Sequence, residues 1–233
     1  ALGALGADYS TLSTNPAGLA NYRTNELVFT PAIRFTNTDA MLKTGDNLPV
    51  SEQKVNFHFD NLGMVFYHEP RSGKWKTANF AIGFNQLANF SQRTFYEGKS
   101  KGSILDGWHD EAKSVAYDTT LLYGLGAGLA AQTYALYFQG TDTMQTDFSA
   151  YPNAVISRSQ DIRESGRINE MVLSFAGNYD EKVSLGATIG VPFFTYNQRK
   201  RYIESDPNNE VEYFDELQFD ETLKTSGVGI NLK

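Results

Sequence analysis

The sequence predicts an all-β chain of antiparallel strands, of the kind that closes into a transmembrane β-barrel. Three observations predict it. Large apolar residues alternate with small or hydroxyl ones in several separate stretches, and charges are missing from the clearest strand centre. Short turns and long polar connections alternate along the chain. No run of 18 or more apolar residues exists, which excludes an ordinary membrane helix but not barrel strands, which need only ~9–11 residues.

Residues 1–25 are small and turn-rich, with Asn15-Pro16-Ala17-Gly18 in the middle, and form a segment of their own ahead of the strands. Leu27, Phe29, Pro31, Ile33 and Phe35 then share one face, against Thr30, Ala32 and Arg34. Pro31 removes a ladder donor, so a bulge or gap in pairing is expected beside it. After a polar stretch over 36–54, Phe57 and Phe59 alternate with His58, and Leu62, Met64 and Phe66 with Gly63 and Val65. The parity changes near Asp60-Asn61, which predicts a second irregularity. Residues 69–74 are a polar turn. The third strand puts Phe80, Ile82 and Phe84 outward and Asn79, Ala81, Gly83 and Asn85 inward, and its alternation fails at Gln86-Leu87-Ala88-Asn89.

A long loop is expected over 91–165. Within it Ser103 reads as an N-cap and Ile104 to Ala116 has helical spacing. The fourth strand carries Met171, Leu173 and Phe175 on one face, followed by a tight turn at 178–182. The fifth is the clearest: Val183, Leu185, Ala187, Ile189, Val191 and Phe193 oppose Ser184, Gly186, Thr188 and Gly190. Large apolar against very small side chains is what a wall between lipid and lumen requires. Bulky substitutions at Gly186 or Gly190 are therefore expected to narrow the lumen and slow uptake while sparing assembly. Polar, acidic sequence covers 199–221, and a sixth strand is expected near Leu223. The connections sort into short turns on one side and loops of roughly 15, 75 and 20 residues on the other, the long ones being extracellular in a membrane barrel.

Composition narrows the function. Phe (16) and Tyr (13) far outnumber Trp (2), Gly reaches 20, and Cys is absent. The net charge of −7 argues against a nucleic-acid partner, which wants a basic face. A soluble β-domain that binds a ligand shares these compositional features and stays open as a reading. The chain opens Ala1-Leu2-Gly3 without a basic segment, so an exported protein is expected to have lost its signal before Ala1.

The residues Leu5-Gly6-Ala7-Asp8-Tyr9-Ser10-Thr11-Leu12-Ser13-Thr14-Asn15-Pro16-Ala17-Gly18-Leu19-Ala20 resemble the start of the mature FadL-type long-chain fatty acid outer-membrane transporters, in versions from Bacteroidetes-like bacteria. Asn15, Pro16 and Ala17 match the family's Asn-Pro-Ala motif, which lies in an N-terminal hatch plugging a 14-stranded barrel. The resemblance covers the hatch, residues 1–25, and about six strands over 26–233. It implies a multi-pass protein of the bacterial outer membrane, monomeric, in contact with membrane lipid and lipopolysaccharide. It implies passage of hydrophobic compounds such as long-chain fatty acids by diffusion, with a lateral exit at a kink in the third strand. Gln86, Leu87, Ala88 and Asn89 are where such a kink would lie; a simple bulge at the membrane edge fits the same residues. A second functional reading on the same fold is a docking or shuttle component of a protein-secretion system.

No catalytic constellation, cofactor or metal site is expected. His58, His68 and His109 lack ligand-like spacing, and Gly124-Leu125-Gly126-Ala127-Gly128 lacks the lysine and context of a phosphate loop. Leu121, Leu122, Tyr123, Leu129, Tyr134 and Phe138 around it fit either a substrate-capture surface or a local core against the loop helix. Arg199-Lys200-Arg201 fits a site for lipopolysaccharide phosphates or a substrate carboxylate, or an ordinary solvated rim.

Overall fold

The computed structural model describes Asp8, Tyr9 and residues 11–233. The part of the N-terminal reading that falls on 1–7 and Ser10 lies outside the described residues. A short helix α1 (Thr11–Thr14) and a 3-10 turn (Pro16–Asn21) precede β1 (Glu26–Ala40), β2 (Val50–Phe66), β3 (Trp75–Asn89) and β4 (Gln92–Lys101). Helices α2 (Ile104–Ser114) and α3 (Ala127–Gln132) follow, with a two-residue pair β5 (Tyr137–Phe138) and β6 (Met144–Gln145). Then come β7 (Val155–Tyr179), β8 (Val183–Ser205), β9 (Glu216–Val228) and β10 (Asn231–Leu232).

The fold is all-β. The long strands make one antiparallel sheet in the order β1-β2-β3-β7-β8, with β9 and β10 both on the far side of β8. β4 continues the line of β3: β3 pairs with Arg167–Tyr179 of β7, and β4 with Val155–Glu164. Among the described residues β1 and β9 lie at opposite edges and do not pair, so the sheet stays open.

The strands run further than apolar alternation foretells. The ladder Thr36↔Lys54 to Ala40↔Val50 shortens the first long connection to 41–49. Pairing from Gln92↔Glu164 to Lys101↔Val155 shortens the expected 91–165 loop to 102–154. Pairing from Arg199↔Thr222 to Ser205↔Glu216 starts β9 at Glu216 rather than near Leu223. The reason is common to all three. Main-chain groups make the ladder and need no apolar face; polar cross-strand pairs such as Arg201–Asp220 (2.9 Å) and Lys200–Glu221 (3.3 Å) finish it.

Two irregularities sit where parity breaks. Thr30 faces Asn61 but Pro31 faces Phe59, which leaves Asp60 as the extra residue opposite the proline. Gln86 faces Asn169 but Ala88 faces Ile168, which makes Leu87 the extra residue of β3. By contrast β7 and β8 pair without a shift from Ser157↔Ser205 to Tyr179↔Val183, so each face keeps its identity along both strands. On that register Leu185 is 58 % exposed while Thr188, on the other face, is 2 % exposed. Two cores result. One lies on the covered face, where Tyr9, Leu12, Leu19, Ala20 and Tyr22 of the N-terminal segment pack on Val65, Ala81, Val172 and Ala176. The other fills a cap made by 102–154 and 206–215, around Leu105, Leu136, Phe148 and Phe214. α2 opens that cap with the predicted Ser103: its Oγ accepts from the Leu105 N–H (3.1 Å), and Asp106 accepts from the Ser103 N–H (2.8 Å).

Candidate functional site

The covered face is built to hold the N-terminal segment. Its inward positions are small because the segment's atoms occupy the space a side chain would take. A Cβ on Gly186 would stand 2.4 Å from the Pro16 carbonyl carbon and 2.6 Å from the Ala17 nitrogen. Cβ atoms on Gly63 and Gly83 would meet the Tyr9 ring. Gly186 therefore faces Pro16 and Ala17 rather than open lumen, and a bulky residue there acts first on the segment. Gly190 faces the carboxylate of Glu170.

Polar side chains on the same face fix the segment's backbone. Asn79 Nδ2 donates to the carbonyls of Leu19 (2.8 Å) and Tyr22 (3.1 Å), and Thr77 Oγ1 to that of Ala20 (2.8 Å). Thr188 Oγ1 donates to the Leu12 carbonyl (2.8 Å). Ser13 Oγ donates to Glu170, a buried carboxylate that also accepts from Asn231 Nδ2 (3.1 Å). Asn15-Pro16-Ala17 sits at the start of the 3-10 turn: Pro16 needs no N–H partner at its first position, and the Asn15 carbonyl accepts from the Gly18 N–H (2.9 Å). Sequence reasoning marked the glycines as small but not what they make room for; it placed Asn79 and Thr188 on the inward face without their partners, and it missed Thr77 and Glu170. Small residues abreast on neighbouring strands were the available signal.

Beside this face the sheet has a gap. β2 pairs with β3 only from Asn61↔Asn85 to Phe66↔Phe80, then parts from it. The exposed edge of β3 and β4 is met by side chains instead of a strand. Arg34 Nη1 donates to the Asn89 carbonyl (3.2 Å), Thr38 Oγ1 to that of Arg93, and Asn56 Nδ2 to Ser91 Oγ (2.9 Å). Asn47 both donates to the Lys99 carbonyl (3.0 Å) and accepts from its N–H (2.8 Å). A cavity of about 760 Å³ opens here, lined by Asn56, His58, Phe84, Gln86, Asn89 and Arg167 among others. Of the four residues singled out in the third strand, Gln86 and Asn89 line this cavity, Leu87 is the bulged residue and points to the exterior, and Ala88 resumes the pairing. Among the described residues the buried atoms Gln86 Oε1 and His58 Nδ1 have no hydrogen-bond partner. His58 Nε2 meets Asp60 at 3.0 Å.

Comparison with family models, curated proteins and solved structures finds no match. The site is therefore read from its geometry. Among the described residues no group of three or more His, Cys, Asp or Glu side chains could hold a metal ion, and no helix is long and apolar enough to cross a membrane.

The cap divides the six residues read as a capture surface. Leu122 joins the cap core, while Leu121, Tyr123, Leu129, Tyr134 and Phe138 stay exposed on its exterior, Tyr134 at 81 %. The cap is tied to the sheet through the fully buried Glu204, which accepts from Ser103 Oγ, the Ile104 N–H (2.9 Å) and Tyr202 Oη (2.5 Å), with Arg158 3.6 Å away.

Proposed function

We propose that this chain forms wall and plug of a transmembrane β-barrel in a bacterial outer membrane, and that the barrel passes hydrophobic molecules such as long-chain fatty acids. The observation that carries the reading is a band of exposed apolar residues on the outer face. It runs over Leu27–Phe35, Trp75–Phe84, Met171–Tyr179 and Val183–Phe193, nine to eleven residues inclusive on each strand. That is the length a tilted strand needs to cross the hydrocarbon core. Exposed apolar patches of such extent call for a partner, and lipid is the one whose thickness fits. Trp75 packs edge-on against Tyr179 at the short-turn end of the band, where an interfacial aromatic girdle belongs.

On this reading the N-terminal segment is the plug, and the gap between β2 and the β3–β4 line is the lateral exit. An acyl chain binds through its own burial, worth ~0.8 kcal/mol per CH₂. Passage needs no nucleotide. The second reading, a docking component of a secretion system, draws on the exposed apolar residues of the cap, Leu121, Tyr123, Leu125 and Tyr134.

The test labels single cysteines with a fluorophore in phosphatidylcholine vesicles containing brominated lipid. Labels at Ile189 and Phe175 are expected to be quenched, and a label at Ser184 is not. Equal protection of Ile189 and Ser184 from lipid removes the membrane reading. If quenching holds but vesicles carrying the protein take up oleate no faster than empty ones, transport is lost and docking gains.

A further inference from the structure

Above the apolar band the outer face changes character. Because β7 and β8 pair without a shift, Thr195, Asn197, Arg199 and Arg201 lie on the same face as Leu185 and Ile189. Register places Arg93 of β4 opposite Arg163 of β7, and Arg163 opposite Arg199 of β8. Three arginines thus stand abreast in one row across three strands, with Thr222 of β9 next in line. Neighbouring strands are ~4.8 Å apart, and like charges directly opposite one another oppose pairing. The carboxylates nearby are too few to neutralise the row. Asp161 serves both Arg93 (3.0 Å) and Arg163 (2.7 Å), Glu52 reaches Arg93 (3.2 Å), and Asp220 is taken by Arg201 (2.9 Å). Among the described residues no carboxylate lies within ion-pair distance of Arg199, which is exposed. One row nearer the band, Asn197 faces Lys224.

We infer that this row is a binding site for the phosphate groups of a phosphorylated glycolipid of the lipopolysaccharide type, held on the outer face of the sheet. Guanidinium groups present paired N–H donors that match phosphate oxygens, and a multiply charged anion placed across the row turns mutual repulsion into attraction. Height selects the glycolipid over an ordinary phospholipid. From Phe193 to Arg199 is six residues, roughly 20 Å along the strand and about 14 Å along the membrane normal at a barrel strand's tilt. A glycerophospholipid carries its phosphate within the head-group layer, only about 5–8 Å beyond the hydrocarbon. Phosphates borne on sugars reach the row, and the acyl chains of the same molecule lie along the apolar band beneath it.

This site rests on the membrane reading above, and the experiment separates the two. Wild-type chain, Arg163→Gln/Arg199→Gln, and Lys182→Gln as a charge control at the opposite end are prepared in neutral detergent. Each is titrated with fluorescent rough-type lipopolysaccharide, with the same glycolipid after phosphatase treatment, and with phosphatidylglycerol as competitor. Flotation with phosphatidylcholine vesicles is measured in parallel. The double variant is expected to float like wild type and to bind the glycolipid at least tenfold more weakly. Lys182→Gln is expected to bind unchanged, dephosphorylation to weaken wild-type binding similarly, and phosphatidylglycerol to compete poorly. Arg163→Lys/Arg199→Lys, which keeps charge and loses the forked donors, is expected to bind at intermediate strength. Undiminished binding by the double variant, indifference to phosphatase, or effective competition by phosphatidylglycerol overturns the site while flotation leaves the membrane reading standing. Failure of the wild type to float overturns both.

Discussion

Gly186→Ala is the smallest change that should unseat the N-terminal segment. The added Cβ would lie 2.4–2.6 Å from Pro16 and Ala17 backbone atoms, and backbone cannot swing aside as a side-chain tip can. Either β8 bends, against an unbroken ladder to β7, or the segment lifts. Overpacking of this kind costs about 1–3 kcal/mol. Set on the segment's own equilibrium, one or two kcal/mol multiplies the lifted population by roughly 5–30. Hydrogen–deuterium exchange of residues 12–22 reads that population directly. Gly107→Ala is the control, because a Cβ on Gly107 of α2 meets nothing within 4 Å among the described residues. Gly190→Ala should act more weakly, since it meets the Glu170 side chain rather than main chain. Exchange over 12–22 that is as slow in Gly186→Ala as in wild type would refute the argument that this glycine is small in order to seat the segment.

Asn79→Ala removes two donors to segment carbonyls and the acceptor of the His68 N–H (3.2 Å) from a buried position, so a loss of about 1–3 kcal/mol is expected in the denaturant midpoint. Phe148→Ala empties the cap core, where its ring meets Phe214 at 4.7 Å; a cost of about 3–5 kcal/mol is expected, read as faster exchange in α2 with no change over 12–22. Acid stability is expected to depend on two carboxylates that lie above the apolar band. Burial pushes Asp161 up, but hydrogen bonds from Arg93 and Arg163 outweigh it and hold the group below its ordinary value. Burial likewise opposes, and hydrogen bonds from Tyr196, Gln92 and Gln198 overcome it, to hold Glu164 low. A lowered native value means that the stabilisation is complete above the unfolded carboxylate range, about pH 4, and drains away as pH falls through the native values. Asp161→Asn with Glu164→Gln should therefore flatten the acid limb of an unfolding curve below about pH 4 and leave its slope near neutrality unchanged.

The legible part of the sequence was the part under physical constraint from two sides. Where one face must be greasy and the other small, alternation is forced, and Val183 to Phe193 or Phe80 to Asn85 could be assigned residue by residue. Pro31 and the parity break at Asp60 pointed to one bulge from opposite strands, because a proline and an extra residue solve the same pairing fault. Beyond the apolar band the constraint vanishes. Thr36–Ala40, Gln92–Lys101 and Arg199–Ser205 are ladder held by main chain, and their polar side chains follow no period that separates strand from loop. The gap in the sheet was legible only as an irregularity at Gln86–Asn89. Its width depends on Arg34, Thr38, Asn47 and Asn56, each more than thirty positions from its partner in sequence, and only the fold brings them there.

The change in character along each strand also orders the molecule. Small residues on the covered face and large ones on the outer face coincide in the same stretch, so the N-terminal segment and the apolar band occupy the same level of the sheet. The gap begins at the upper edge of that level, where β2 leaves β3 at Asn61. Higher still, the same strands carry arginines outward and the buried Glu204 inward, with the cap standing on Glu204. On the proposed reading, a molecule released from beneath the cap toward the N-terminal segment would meet the gap before it met the residues anchored by Asn79 and Thr188. If, on the transport reading proposed above, the segment stays seated during passage, tying it to β8 with a short bis-thiol cross-linker between cysteines introduced on the two should leave oleate uptake intact, whereas a bulky residue at Gln86 should stop it. Uptake abolished by the cross-link and untouched by the block would place the path through the plug instead of the wall.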